Sequence, residues 1–176
     1  MYLKNILTAK NLISVSLIMA AAFSRLIPHS PNFTSVGAMA LFAGSLFGMS
    51  FSALLVPVVA MLLTDFILGF HSTQIFVYGS LVLSVLMGAT LLKDQAKGRK
   101  LLVVTLLSSI LFFIVTNLGV WLVGGFYSGD IKGLVECYIM ALPFFTNQVA
   151  GDLLFSGLLF YGYSVAITRA QTKSRV

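Results

Sequence analysis

The stretch from Leu101 to Gly124, LLVVTLLSSILFFIVTNLGVWLVG, holds no charged residue and exceeds the ~20 residues that carry an α-helix across ~30 Å of hydrocarbon. A helix satisfies its own backbone polar groups, so such a segment is stable in lipid where a loop or an open strand is not. It also places one amide, Asn117, deep among apolar side chains. That single stretch sets the fold class and poses the functional question together.

The surrounding chain repeats the pattern. Of 176 residues, 59% are hydrophobic and 9% charged, with a mean hydropathy of +1.01, more apolar surface than one soluble core can hide. Six apolar runs are expected to span, over Thr8 to Ile27, Ser35 to Phe47, Phe51 to Phe70, Gln74 to Leu92, Leu101 to Gly124 and Thr146 to Thr168. The expected fold is therefore an all-α integral membrane bundle of six transmembrane helices, one domain over residues 1–176. The second run is short and Gly-rich, which predicts a tilted, broken or partly spanning helix, joined to the third through Gly48-Met49-Ser50. No internal repeat or low-complexity segment is evident.

Nine of the eleven Lys and Arg residues fall on one side when both termini are cytoplasmic: Lys4, Lys10, the 93–100 loop with Lys93, Lys97, Arg99 and Lys100, then Arg169, Lys173 and Arg175. Only Arg25 and Lys132 fall on the other. The net charge of +6 is thus topological, and no aromatic-interleaved basic patch suits nucleic acid. Ala20-Ala21-Ala22 resembles a signal-peptide cleavage site, but the run continues through Phe23 to Ile27, so an uncleaved first span is expected. Residues 125–145 are expected to form an extracytoplasmic loop, either with an interfacial helix near Gly133 to Leu142 that ends at Pro143 and serves as a lid, or as an amphipathic loop resting on the headgroups.

Polar residues in the runs cost a few kcal/mol unless paired or hydrated, and so mark function by default. Counting 1.5 Å per residue from the inner ends puts Asp65 at ~21 Å, Asn117 and Asp152 at ~24 Å and Arg25 at ~26 Å, a single layer. Helical spacing groups Gln148, Asp152, Phe155 and Ser156 on one face with Asn147 and Gly151 beside them, and Phe113, Asn117, Trp121 and Gly124 on another. These faces describe a pocket wall of amide, carboxylate and aromatic groups. The alternative is interhelical glue, with Arg25 paired to Asp65 and Asn117 bonded to a carbonyl. His29 and His71, on separate loops, are expected as interfacial anchors rather than metal ligands, and Asn32-Phe33-Thr34 lies too close to a span for glycosylation. Small residues recur every four positions at Ser16, Ala20 and Ser24, and at Ala40, Gly44 and Gly48, allowing close helix packing or docking of a membrane partner. The lone Cys137 forms no internal disulfide, no phosphate loop or hydrolase motif occurs, and no cofactor or metal is expected.

Arg25-Leu26-Ile27-Pro28-His29-Ser30-Pro31-Asn32-Phe33-Thr34 followed by Gly37-Ala38-Met39-Ala40-Leu41-Phe42 resembles the signature of a small bacterial family described as membrane transport proteins of unknown substrate. The resemblance continues through Asp65 with Leu68-Gly69-Phe70-His71, Thr116-Asn117 with Gly119-Val120-Trp121, and Ala141-Leu142-Pro143-Phe144-Phe145 with Asn147 and Gly151-Asp152. More remotely, the layout is similar to the S components of energy-coupling factor vitamin transporters. That likeness implies capture of a vitamin from outside, with small residues of the first helix meeting a transmembrane coupling subunit served by ATPases. The solitary cobalamin-binding members carry a cobalt-contacting cysteine in a loop where this chain offers His71, itself a competent cobalt ligand.

The expected function is capture or transport of a small polar molecule in the bacterial inner membrane, without catalysis. Asn117 and Asp152 would hydrogen-bond the substrate, Trp121 and Phe155 stack on it and Arg25 balance Asp65 and Asp152, with Asn147, Gln148 and His71 beside them. The rivals are an acid-base membrane enzyme using Asp65 and Asp152, and a structural assembly subunit.

Overall fold

The computed structural model describes residues 9–93 and 98–173, so Lys4, Lys97, Arg175 and half of the 93–100 loop lie outside the described residues. Among the described residues there are six α-helices and no strand: α1 (Ala9–Phe23), α2 (Val36–Phe47), α3 (Phe51–Leu68), α4 (Gln74–Leu91), α5 (Arg99–Val123) and α6 (Ile131–Lys173). A 3-10 turn, Ser24–Leu26, extends α1. The helices α3 to α6 are long and apolar enough to cross a membrane. Their outward faces present Leu63, Phe66, Leu83, Ile110, Ile114 and Leu158, an apolar exposure that water would penalise and lipid does not.

Successive helices alternate in direction, which gathers Lys10, Lys93, Arg99, Lys100 and Arg169 at one end, called here the basic end. Arg25 and His71 lie at the other.

The centre of the bundle is α2. Its 12 residues rise only about 18 Å, well short of a bilayer core, and Val36 to Gly44 are all buried. It touches every other helix. Against α4 the approach is backbone to backbone: a Cβ on Gly44 would collide with the Val85 carbonyl, and one on Gly88 with the Leu41 carbonyl. The small-residue stripe of the second run is therefore internal packing. At its lower end Ser45 Oγ donates to the Leu92 carbonyl at 2.5 Å, and Gly48, at φ 61°, stops the helix with a conformation that costs glycine little. Phe42 packs edge-on against Phe160 and Tyr163 of α6.

One expectation fails. Residues 131–145 form no separate interfacial helix, lid or headgroup loop: α6 runs unbroken for 43 residues, about 64 Å, straight through Pro143. It lies antiparallel to α5, with Tyr138 Oη bonded to the Ile114 carbonyl, Gln148 Nε2 to the Ser109 carbonyl and Thr105 Oγ1 to Ser156 Oγ. A proline removes one N–H from a helix without necessarily ending it where neighbours hold both sides. The start of α6 is set by Asp130, whose Oδ1 accepts the Ser128 hydroxyl at 2.6 Å and the Gly133 N–H at 2.8 Å. Those two bonds hold its carboxyl below the ordinary carboxylate range.

Because backbone atoms cannot yield, Gly44→Ala and Gly88→Ala should each destabilise the purified protein by about 1–3 kcal/mol in unfolding measurements. Gly79→Ala, which meets open space on the same helix as Gly88, should be neutral or slightly stabilising.

Candidate functional site

A helix that begins inside the bundle leaves its column empty above it. Over the N-terminus of α2, at the end opposite the basic one, lies a cavity of about 270 Å³. Its wall draws on every helix or its adjoining loop: Arg25 from the 3-10 turn, Asn32 and Thr34 from the α1–α2 loop, Val36 of α2, Met61 of α3, His71 and Thr73 from the α3–α4 loop, Val77 of α4, Phe112, Thr116, Asn117 and Val120 of α5, and Gln148 of α6. Hydroxyl, amide and guanidinium groups alternate with apolar ones, the composition of a small-ligand site.

Arg25 is fixed through Nη1, which donates to Asp65 Oδ1 at 2.8 Å, to Thr64 Oγ1 and to Met61 Sδ at 3.2 Å. The second oxygen of Asp65 accepts Gln74 Nε2 at 2.6 Å and Tyr78 Oη at 2.8 Å. Asp65 thus ties the 3-10 turn, α3 and α4 together from behind the wall, and it does not line the cavity. The Arg25–Asp65 pairing expected as interhelical glue is present.

Asp152 lies beneath the cavity rather than in its wall. Its carboxylate lies against Gly37 and Ala38 in the first turn of α2 and accepts the Ser109 hydroxyl at 2.7 Å. The N–H groups of Gly37 and Ala38 have no helical partner, and the side chain of the N-cap residue Ser35 does not serve them because it donates to the Ala21 carbonyl instead. A carboxylate from α6 thus stands at the N-terminus of α2, where its charge suits the positive helix end. Gly37 makes room: a Cβ there would fall 2.5 Å from Asp152 Oδ1. Gly151 likewise lets the Thr34 backbone approach α6.

The expected single layer therefore separates into two. Ser109 faces Asp152 while the Asn117 carbonyl faces Cys137, so Asn117 sits eight residues, about 12 Å, above Asp152. The sequence count assumed that the sixth helix ends level with the start of the fifth, whereas α6 overshoots toward the basic end.

Of the expected site residues, Arg25, Asn117, Gln148 and His71 come together in the cavity wall. Trp121 does not: its Nε1 donates to the Ser128 carbonyl at 2.9 Å and braces the α5–α6 turn. Asn147 pins the α1–α2 loop through the Pro31 carbonyl, and Phe155 packs on Phe33, leaving neither for stacking or binding in the cavity. Phe113 packs between Tyr138 and Phe145. On α1, Ser16 and Ala20 are exposed and Ser24 is half-buried, bonded to the Ala21 carbonyl. His29 bonds the neighbouring Ser30 carbonyl outside the cavity. No group of three or more His, Cys, Asp or Glu side chains placed to hold a metal occurs among the described residues.

A family model covers residues 5–174. The chain belongs to the family of unknown function DUF6580. No curated protein and no solved structure matches this DUF6580 chain. The site of this DUF6580 member also includes Asn32, Thr34, Thr73 and Thr116, which sequence reasoning did not select. Their signal was the shortness of the second run, which obliges loops and neighbouring helices to line the vacated column.

If Asp152 is the cap of α2, Asp152→Ala should lower stability by about 1–3 kcal/mol, because buried N–H groups lose their acceptor. Asp152→Asn should cost less, since an amide oxygen still accepts. Equal stability of Asp152→Ala and wild type in denaturant or thermal unfolding would contradict the assignment.

Proposed function

We propose that the protein is a substrate-capture protein of the bacterial cytoplasmic membrane that takes a small polar molecule from the extracytoplasmic side. The observation that carries this reading is the polar-lined cavity standing where a full-length central helix would otherwise be. Its placement opposite the basic end makes it outward-facing under the preference of Lys and Arg for the cytoplasm. The volume lies just below the ~300–1,000 Å³ usual for ligand pockets, which suits a small solute.

In this reading the protein works as S components do: α2 and the Asp65 and Asp152 anchors form a rigid floor, and Arg25, Asn117, Thr116 and His71 contact the solute. Energy would come from a coupling subunit with ATPases, docked in the membrane on the exposed Ser16 and Ala20 face of α1. The acid-base alternative loses support because Asp65 and Asp152 are held by separate partner sets outside the cavity wall.

A thermal-shift screen of water-soluble vitamins against the purified protein should find a stabilising ligand. Asn117→Ala should weaken that ligand by about ten-fold, the equivalent of one lost hydrogen bond of ~1.4 kcal/mol, while Trp121→Phe should leave its affinity unchanged. A ligand indifferent to Asn117→Ala but lost in Trp121→Phe would place binding elsewhere.

A further inference from the structure

Resting on the capture reading, we infer that the cavity recognises a carboxylate, held by Arg25, on a solute whose other end carries hydroxyl or N–H donors. Among the described residues Arg25 is the only formally charged side chain in the wall, and no carboxylate lines it. A cationic solute would therefore enter without a counter-charge.

The guanidinium is not used up by Asp65. Every hydrogen bond of Arg25 to the described residues runs through Nη1. Among the described residues no buried side-chain nitrogen lacks a partner, so Nε and Nη2 each keep accessible surface, and Arg25 is one of the residues that line the cavity. Nε–H and the adjacent Nη2–H point in parallel along one edge of the fork. That edge matches the two oxygens of a carboxylate, a fit that a lysine ammonium does not reproduce.

The remaining wall fixes the other end of the solute. Asn117 donates its amide N–H to the Phe113 carbonyl, Thr116 its hydroxyl to the Phe112 carbonyl, and Gln148 its amide N–H to the Ser109 carbonyl. The Thr116 hydroxyl proton is thereby spent and each amide keeps one further N–H, so Asn117 Oδ1 and Thr116 Oγ1 remain as acceptors toward the cavity. These oxygens accept hydroxyl or N–H groups of the solute. Met61, Val77, Phe112 and Val120 supply apolar surface between.

Matched probes test this: pantothenate against pantothenol, biotin against biotinamide, and nicotinate against nicotinamide, titrated into the purified full-length protein. At least one carboxylate should bind about ten-fold or more tightly than its neutral partner, the margin of one charge-assisted hydrogen bond. Arg25→Lys, which keeps a charge for Asp65 but removes the fork, should abolish that preference. Should that variant not fold, wild-type Arg25 can be modified with phenylglyoxal and followed by peptide mass spectrometry. The preferred carboxylate should protect it and the neutral partner should not. Equal or tighter binding of the neutral partners, or preference retained in Arg25→Lys, overturns the inference. So does a cationic or neutral vitamin that binds when all three carboxylates fail, an outcome that leaves the capture reading standing. Failure of every probe and every vitamin overturns both.

Discussion

A helix that starts inside a membrane leaves its first N–H groups where water is scarce, and here the Asp152 carboxylate stands beside them. That contact lets α2 be short, because a buried N-terminus without a partner would cost several kcal/mol in hydrocarbon. The short helix in turn vacates the upper part of the central column. The cavity is thus a consequence of that contact: without a carboxylate on α6 at that height, the chain would have to extend α2 to the surface and fill the space.

The polar residues divide between support and wall. Asp65 and Asp152 are buried and fully bonded, one joining the 3-10 turn, α3 and α4, the other joining α2, α5 and α6. Arg25, Asn117 and Thr116 stand in front of them, half-buried and facing the space. Carboxylates held behind the wall fix its geometry while leaving no negative charge on it. The hydroxyl seam lower in the bundle, with Ser108 on Ser84 and Thr105 on Ser156, adds interhelical bonds. Interhelical glue and pocket wall, opposed as alternatives by the sequence, are successive shells of one structure.

The six helices were legible because hydrocarbon thickness imposes a length and backbone satisfaction imposes helicity. Five of the six expected runs agree with the structure to within a few residues at their described ends. The exception, α6, was misread because Pro143 and the polar residues after Gly125 look like an ending, and only the partner helix α5 shows that they are not. Arg25 and Asn117, which line the cavity, were singled out by their cost in lipid. The place of Asp152 at the N-terminus of α2 was not legible, since a contact with a different helix leaves no mark in local sequence spacing. Trp121 misled for the opposite reason, as aromatic character alone does not say which way an indole faces.

The central claim, that an outward-open aqueous cavity stands above a half-length helix, is tested most directly by thiol accessibility. In a Cys137→Ala background, single substitutions Thr34→Cys, Thr116→Cys and Ser84→Cys are treated on intact cells with a membrane-impermeant sulfonate thiol reagent. Labelling of Thr34→Cys and Thr116→Cys, with Ser84→Cys silent, is the expected result. Reaction of the cavity positions only after the cells are opened, or no reaction while the protein remains folded, would contradict it.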